Sequence, residues 1–191
     1  MTDGQLDFYN KIKSVQEQLV QLHNQYWNSY SNMSTWQFWF LIILFITPLV
    51  VLYLSIDRKH ILLIGFYGLN LHVWFTYMDL IGVRNGLWGY IYRFFPFLPQ
   101  SVTVDTSLLP VTLMLVYQWT LKHNKNFYIY SICTAFILAC AFKPLLSLLN
   151  FYRLDKGITY LHIFIFNTIV VLISRIITNI FVSMQKKALK D

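Results

Sequence analysis

Long apolar runs, separated by short charged turns, dominate the chain from Trp36 onward. The runs predict five membrane-spanning helices, over about 36–56, 61–81, 106–121, 127–149 and 158–182. Runs of this length match a hydrocarbon core of roughly 30 Å when each helical residue rises about 1.5 Å. The pattern therefore predicts an all-α fold, a polytopic membrane helical bundle over residues 36–182, followed by a basic C-terminal tail over residues 183–191.

The first 35 residues are more polar and follow a different periodicity. Apolar residues recur there at alternating spacings of four and three: Phe8, Ile12, Val15, Leu19, Leu22 and Tyr26. This spacing is typical of an amphipathic helix. The opposite face is mostly Gln and Asn, which disfavours binding to anionic lipid through a basic face. We therefore expect residues 1–35 to form an amphipathic helix that lies on the membrane or on a partner.

Residues 82–104, between the second and third predicted spans, combine glycines and prolines with many aromatic side chains. The aromatic residues are Trp88, Tyr90, Tyr92, Phe94, Phe95 and Phe97. The segment is too broken for a spanning helix and too apolar for a free loop. Two interpretations remain open: an interfacial or re-entrant cap over the bundle, and a simple aromatic belt at the interface. We refer to residues 82–104 as the cap segment.

Composition and charge narrow the class of protein further. Hydrophobic residues make up 57% of the chain and charged residues 12%, against roughly 45–50% and 25% in soluble domains. The net charge of +7 comes from short clusters between apolar runs, so we expect no nucleic-acid partner. The placement of Lys and Arg near span ends favours a cytoplasmic C-terminus. The lipid bilayer is the expected partner, and a small lipophilic ligand and a membrane partner protein both remain open.

Three ionisable residues lie within or beside the apolar runs, at Asp79, Asp105 and Lys143. With five spans, all three fall on one side of the membrane at similar depth, near the cap segment. Ionisable residues in membrane spans commonly mark functional sites. The candidate polar pocket contains these three residues together with His72, His162, Trp88 and Tyr90. The structural alternatives are that each charge serves its own helix, or that a plain Asp–Lys ion pair fixes helix packing.

Other polar residues give weaker signals. His72 shares a helical stripe with Asp79, which is compatible with a proton relay or with hydrogen bonding between helices. Arg175 lies about two turns from the basic end of the last span, so we expect its side chain to snorkel there. The five histidines show no ligand spacing, and no phosphate-binding loop is present. We therefore expect neither a metal site nor a cofactor.

Several short motifs together resemble a known family. They are Tyr26-Trp27, Thr35-Trp36-Gln37-Phe38-Trp39, Asp57-Arg58-Lys59, Arg84-Asn85-Gly86-Leu87-Trp88, and Asp105 followed by Pro110-Val111. Over nearly its whole length the chain resembles a family of small, uncharacterised multi-pass membrane proteins of Bacillus-like spore-forming bacteria. The resemblance implies a helical bundle in a bacterial cytoplasmic membrane and brings no known activity. More distant relatives often carry an acid where this chain has Lys143, which argues against a carboxylate-pair mechanism.

Three functional hypotheses follow from these observations. The leading one is a non-catalytic membrane protein that binds a ligand, a lipid or a partner protein through the capped pocket and the N-terminal helix. The alternative is an intramembrane enzyme acting on a lipid-soluble substrate, with Asp79 and Asp105 as acid and base and Lys143 stabilising charge. The third is the substrate-binding subunit of a transporter.

Overall fold

The computed structural model describes residues 2–99 and 101–189, so Lys190 and Asp191 of the predicted tail lie outside the described residues. In chain order, the elements are α1 (Asp3–Tyr30), α2 (Trp36–Ser55), α3 (Ile61–Arg84), β1 (Trp88–Tyr90), a π-helical turn (Val104–Leu108), α4 (Leu109–Lys122), α5 (Phe127–Ile137), a second π-helical turn (Leu138–Phe142), α6 (Lys143–Leu148), β2 (Tyr152–Leu154) and α7 (Tyr160–Ala188). The segment Phe127–Leu148 is one continuous helical stretch.

The prediction of an all-α membrane bundle is confirmed. Within the described residues, four helical stretches are long and apolar enough to cross a membrane: α2, α3, Phe127–Leu148 and α7. Large apolar side chains remain exposed along them, for example Leu62 and Leu54. Exposed apolar surface of this extent is expected where lipid, rather than water, surrounds the helices.

The third predicted span, 106–121, corresponds to the helix α4, which is shorter than the four long stretches at 14 residues. It is not among the stretches that meet the length and composition for a membrane crossing. Residues on several sides of α4 are buried, including Leu109, Pro110 and Val111, and the helix packs against α2, α3 and α5. Because protein covers α4, its length is not set by the thickness of the bilayer.

The cap segment folds back onto the bundle and contributes one strand, β1, to a strand pair that the sequence pattern did not predict. Strand β1 pairs antiparallel with β2, with Tyr90 opposite Tyr152. The chain leaves α3 through a Gly86 in the left-handed region, at φ +64, and the Leu87 N–H donates to the Gly82 carbonyl over 2.9 Å. This Schellman-type ending turns the chain sharply, so that β1 returns towards the α3 helix it has just left.

Helix α1 contacts the rest of the protein near its C-terminal end. The Trp27 indole N–H donates to the Phe94 carbonyl over 3.2 Å, and Arg93 Nη2 donates to His23 Nε2 over 2.9 Å. Apolar residues in its first half, such as Ile12, are exposed. The end of α1 is therefore tied to the cap segment.

Arg175 on α7 is half-buried and contacts two aromatic side chains. Its guanidinium lies 4.7 Å from the centre of the Tyr117 ring and 4.8 Å from that of Phe127, and Arg175 Nη1 donates to the Tyr117 hydroxyl. Phe127 begins α5 directly after the basic turn that contains Lys122 and Lys125. The guanidinium therefore lies against aromatic ring faces near that basic turn, and such contacts stabilise a cation.

Candidate functional site

Two prolines create the irregular turns that carry two of the three buried charges. Proline lacks an N–H, so Pro110 and Pro144 cannot donate to the carbonyls four residues earlier. Each of those carbonyls lies in a π-helical turn, and Asp105 is in the first of these turns while Lys143 directly follows the second. π-Helical turns inside helices are often found at functional sites. The same kind of backbone irregularity therefore positions both charged residues.

Strand β1 supplies the hydrogen-bond donors for the third charge, Asp79. Side chains at alternate positions of a strand point to the same face, so Trp88 and Tyr90 face the bundle together. The Trp88 indole N–H and the Tyr90 hydroxyl each donate to Asp79 Oδ1 over 2.9 Å. Gly82 lies one turn beyond Asp79 on α3, and its lack of a side chain leaves room for the Trp88 ring. Asp79 thereby anchors the cap segment to the bundle.

Lys143 reaches Asp79 through a tyrosine. Lys143 Nζ donates to the Tyr90 hydroxyl over 2.8 Å, and it lies 4.9 Å and 4.4 Å from the ring centres of Tyr90 and Tyr152. Among the described residues, the ion pairs within 4.0 Å are Lys13–Glu17, His60–Asp57 and Arg153–Asp155. A direct Asp–Lys ion pair is therefore not formed in this part of the chain, and Tyr90 links the two groups instead.

The two acids and Lys143 border the same small cavity. The exposed fractions of Asp79, Asp105 and Lys143 are only 8%, 4% and 4%, and Asp105 Oδ2 has no hydrogen-bond partner among the described residues. Because burial penalises uncompensated charge, we expect the two acids together to carry a single negative charge, which balances the ammonium of Lys143. A neutral cluster of this kind avoids most of the cost of burying isolated charges.

The cavity inside this cluster is small. It has a volume of about 30 Å³ and is bordered by Asp79, Trp88, Asp105, Lys143 and Tyr152. This volume corresponds to about one water molecule in the liquid. A cavity of this size is too small for an organic ligand.

The structure brings together five of the seven predicted site residues: Asp79, Asp105, Lys143, Trp88 and Tyr90. The two histidines lie elsewhere. His162 is exposed and caps α7, where its Nδ1 accepts from the Thr159 N–H over 3.1 Å. His72 lies about two turns before Asp79 on α3, and its Nδ1 is buried with no hydrogen-bond partner among the described residues.

Tyr152 and Ser101 belong to the site although the sequence did not indicate them. Tyr152 faces Tyr90 across the strand pair, with ring centres 5.3 Å apart, and the Ser101 carbonyl accepts from the Asp105 N–H over 2.9 Å. Tyr152 lies in a strand of three residues, too short for a periodicity to be recognised. The only signal in the sequence was the aromatic pair Phe151-Tyr152.

A much larger cavity lies on the other side of Asp79. It has a volume of about 720 Å³ and is lined by residues of α1, α3 and the cap segment. The cavity is partly open, since Val20, Leu80 and Phe97 on its lining are exposed. Its apolar lining includes Val20, Leu80, Val83 and Phe97, and its polar lining includes Asp79, His23 and Arg93. Volumes of about 300–1,000 Å³ are typical of small-molecule sites.

The polar end of this cavity is the contact between His23 and Arg93. The pKa of the His23 imidazole lies below its ordinary value of 6.5, because burial disfavours the charged ring and because the Arg93 guanidinium lies beside it. A neutral imidazole is also what the hydrogen bond from Arg93 requires, since His23 Nε2 must accept it. His23 is therefore neutral and Arg93 is the charged member of the pair.

The Tyr90 hydroxyl has a role that can be separated from that of its ring. Tyr90→Phe removes the group that accepts from Lys143 and donates to Asp79, and we expect it to lower the free energy of unfolding by about 1–3 kcal/mol. Tyr152→Phe is the matched control, because both rings lie beside Lys143 but the Tyr152 hydroxyl has no hydrogen-bond partner among the described residues. We expect this control to change stability by less than about 0.5 kcal/mol. Chemical unfolding in detergent micelles measures both, and equal losses would contradict the assigned bridge.

No described group of three or more His, Cys, Asp or Glu side chains is arranged to hold a metal ion. Comparison of the chain with family models, with curated proteins and with solved structures found no match. The candidate site consists of a buried cluster of two acids and a lysine. Beside this cluster lies a larger cavity with apolar walls and one arginine.

Proposed function

We propose that this chain is a multi-pass membrane protein that binds a small amphiphilic molecule without chemically changing it. The observation that carries the proposal is the cavity of about 720 Å³ between α1, α3 and the cap segment. Its mixture of apolar walls and a few polar groups is that of a ligand site rather than of a packing defect.

The charged cluster supports this site as part of its wall. Asp79 contributes to both the small and the large cavity, and its hydrogen bonds from Trp88 and Tyr90 fix strand β1 against α3. The neighbouring cap residues Arg93, Pro96 and Phe97 line the large cavity. Breaking the cluster would therefore release the cap segment and alter the shape of the ligand site.

The N-terminal helix contributes a further wall and belongs to the same proposal. Gln16, Val20 and His23 on α1 line the cavity, and the helix is tied to the cap segment by Trp27. We propose that this region of α1 forms part of the wall of the cavity. The exposed first half of α1 is then available to bind a partner protein.

The proposed location is a bacterial cytoplasmic membrane, as the family resemblance implies. Lys186 and Lys187 end the last long apolar helix, and positive charge beside a membrane span favours the cytoplasmic side. We therefore propose a cytoplasmic C-terminus.

An intramembrane enzyme is the second candidate. The observation in its favour is that two buried acids, Asp79 and Asp105, border one small cavity, because a pair of acids in one site can act as acid and base. The small size of the cavity at this pair, about 30 Å³, favours the non-catalytic function. Under the enzymatic alternative, a molecule extracted with the protein would be converted during incubation with the wild type and not with Asp105→Asn.

Native mass spectrometry with lipid analysis tests the proposal on protein purified gently from its own membrane. Leu80→Trp places a large ring at the lining of the cavity, and Leu69→Trp is its matched control, an equally exposed leucine of α3 away from that lining. We expect one discrete co-purifying molecule in the wild type and in Leu69→Trp, with its occupancy strongly reduced in Leu80→Trp. No bound molecule in the wild type, or equal occupancy in all three proteins, would contradict the proposal.

A further inference from the structure

Arg93 is a charged group placed where a ligand in the large cavity would meet it. It lines the cavity of about 720 Å³ and also an adjoining cavity of about 360 Å³. Its side chain is half-buried, and the partner it contacts is His23, over 2.9 Å. Because guanidinium groups are always protonated, Arg93 brings a positive charge to this lining.

This charge has no direct counter-ion within the described part of the chain. The ion pairs within 4.0 Å there involve Lys13, His60 and Arg153 as cations, and His23 is an uncharged acceptor. Asp79 lines the same cavity, but its Oδ1 is engaged by Trp88 and Tyr90, and it balances Lys143. A guanidinium has five N–H donors in a fork that matches carboxylate and phosphate groups. The N–H groups of Arg93 that do not bind His23 can therefore donate to an anion.

Because the cavity lining next to Arg93 is apolar, the anion that binds there should carry an apolar chain. Leu80, Val83, Phe97 and Leu98 line the cavity beside it. A volume of about 720 Å³ lies within the range of about 300–1,000 Å³ for drug-sized ligands, which suits one acyl chain better than two.

We propose that the large cavity binds a single-chain anionic amphiphile, with its carboxylate or phosphate at Arg93 and its chain against Leu80, Val83 and Phe97. This inference rests on the proposed function and specifies the class of ligand. The charge-assisted hydrogen bonds from Arg93 give the site its preference for an anion, while the apolar walls supply the affinity for the chain.

Equilibrium binding of oleate and of oleyl alcohol to the full-length protein in neutral detergent tests the ligand class, because the two probes share one chain and differ in charge. Measurement at about pH 8 keeps His23 neutral. We expect the wild type to bind oleate at least tenfold more tightly than oleyl alcohol, about 1.4 kcal/mol. Acetate, an anion without a chain, is expected not to compete with oleate.

Arg93→Gln is the decisive variant, and Arg84→Gln is its control because Arg84 is an exposed arginine outside the lining of the cavity. We expect Arg93→Gln to lose the preference for oleate while it keeps the wild-type affinity for oleyl alcohol, which also shows that the cavity has remained folded. Arg84→Gln should behave as the wild type.

The outcomes separate the ligand class from the proposed function. Equal affinity for both probes, unchanged in Arg93→Gln, would overturn the anionic ligand while leaving amphiphile binding intact. Effective competition by acetate would overturn the requirement for a chain. Failure of the wild type to bind either probe, with no co-purifying molecule, would overturn both the inference and the proposed function.

Discussion

Replacement of Lys143 with methionine is expected to lower the free energy of unfolding by about 3–5 kcal/mol, the cost of leaving a buried charge uncompensated. The lysine is 4% exposed and supplies the positive charge that balances the acid pair of Asp79 and Asp105. Methionine keeps much of the side-chain volume of lysine. The loss of stability therefore comes mainly from the missing positive charge and not from a new cavity. Chemical unfolding in one detergent, followed by tryptophan fluorescence, measures the change.

The double variant Lys143→Met with Asp105→Asn should regain a large part of this stability. It removes one positive charge and one carboxyl group, so the buried cluster carries less uncompensated negative charge than in Lys143→Met alone. Asp79 can still accept from Trp88 and Tyr90, so the cap segment stays anchored. Lys125→Met, at an exposed lysine of the α4–α5 turn, is the control and should change stability by less than about 0.5 kcal/mol. A double variant no more stable than Lys143→Met alone would rule out the neutral cluster.

Substitution of Gly82 by alanine is expected to be the most damaging of the small changes on α3. A Cβ at this position would overlap the Trp88 indole ring, and overpacking of a buried site costs about 1–3 kcal/mol. Displacement of the ring would also break the 2.9 Å hydrogen bond to Asp79, adding about 1–3 kcal/mol for the buried group left unpaired. Thermal unfolding and amphiphile binding should both be impaired.

We expect Gly65→Ala on the same helix to have the opposite effect on stability. Nothing lies within 4 Å of a Cβ added there, so the alanine should stabilise the helix by about 0.5–1 kcal/mol. In a Trp88→Leu background the obstructing ring is absent, and the cost of Gly82→Ala should shrink. Equal effects of the two glycine substitutions, or full additivity with Trp88→Leu, would disprove the proposed close packing of β1 on α3.

Most of the candidate site could be predicted because its charges lie inside apolar runs. Asp79, Asp105 and Lys143 were recognisable for that reason alone, and Trp88 and Tyr90 because aromatic residues crowd the cap segment. The two predicted histidines lie away from this cluster, because the position of a residue along a helix does not determine which neighbour it contacts. His162 belongs to the first turn of α7, where a local hydrogen bond to Thr159 engages it.

The long helices were determined by the sequence itself, because the free energy of moving a segment into lipid is a sum over its own residues. The sequence determined the irregular turns only in part, since Pro110 and Pro144 each remove a backbone donor but Pro48 does the same inside the regular helix α2. Tertiary structure alone decided that α4 is covered by protein, that Arg175 contacts Tyr117, and that β1 pairs with β2. It also decided that the charges form one neutral cluster beside a cavity with Arg93 on its wall. These features depend on contacts between residues far apart in the chain, which no local pattern of apolar and polar positions encodes.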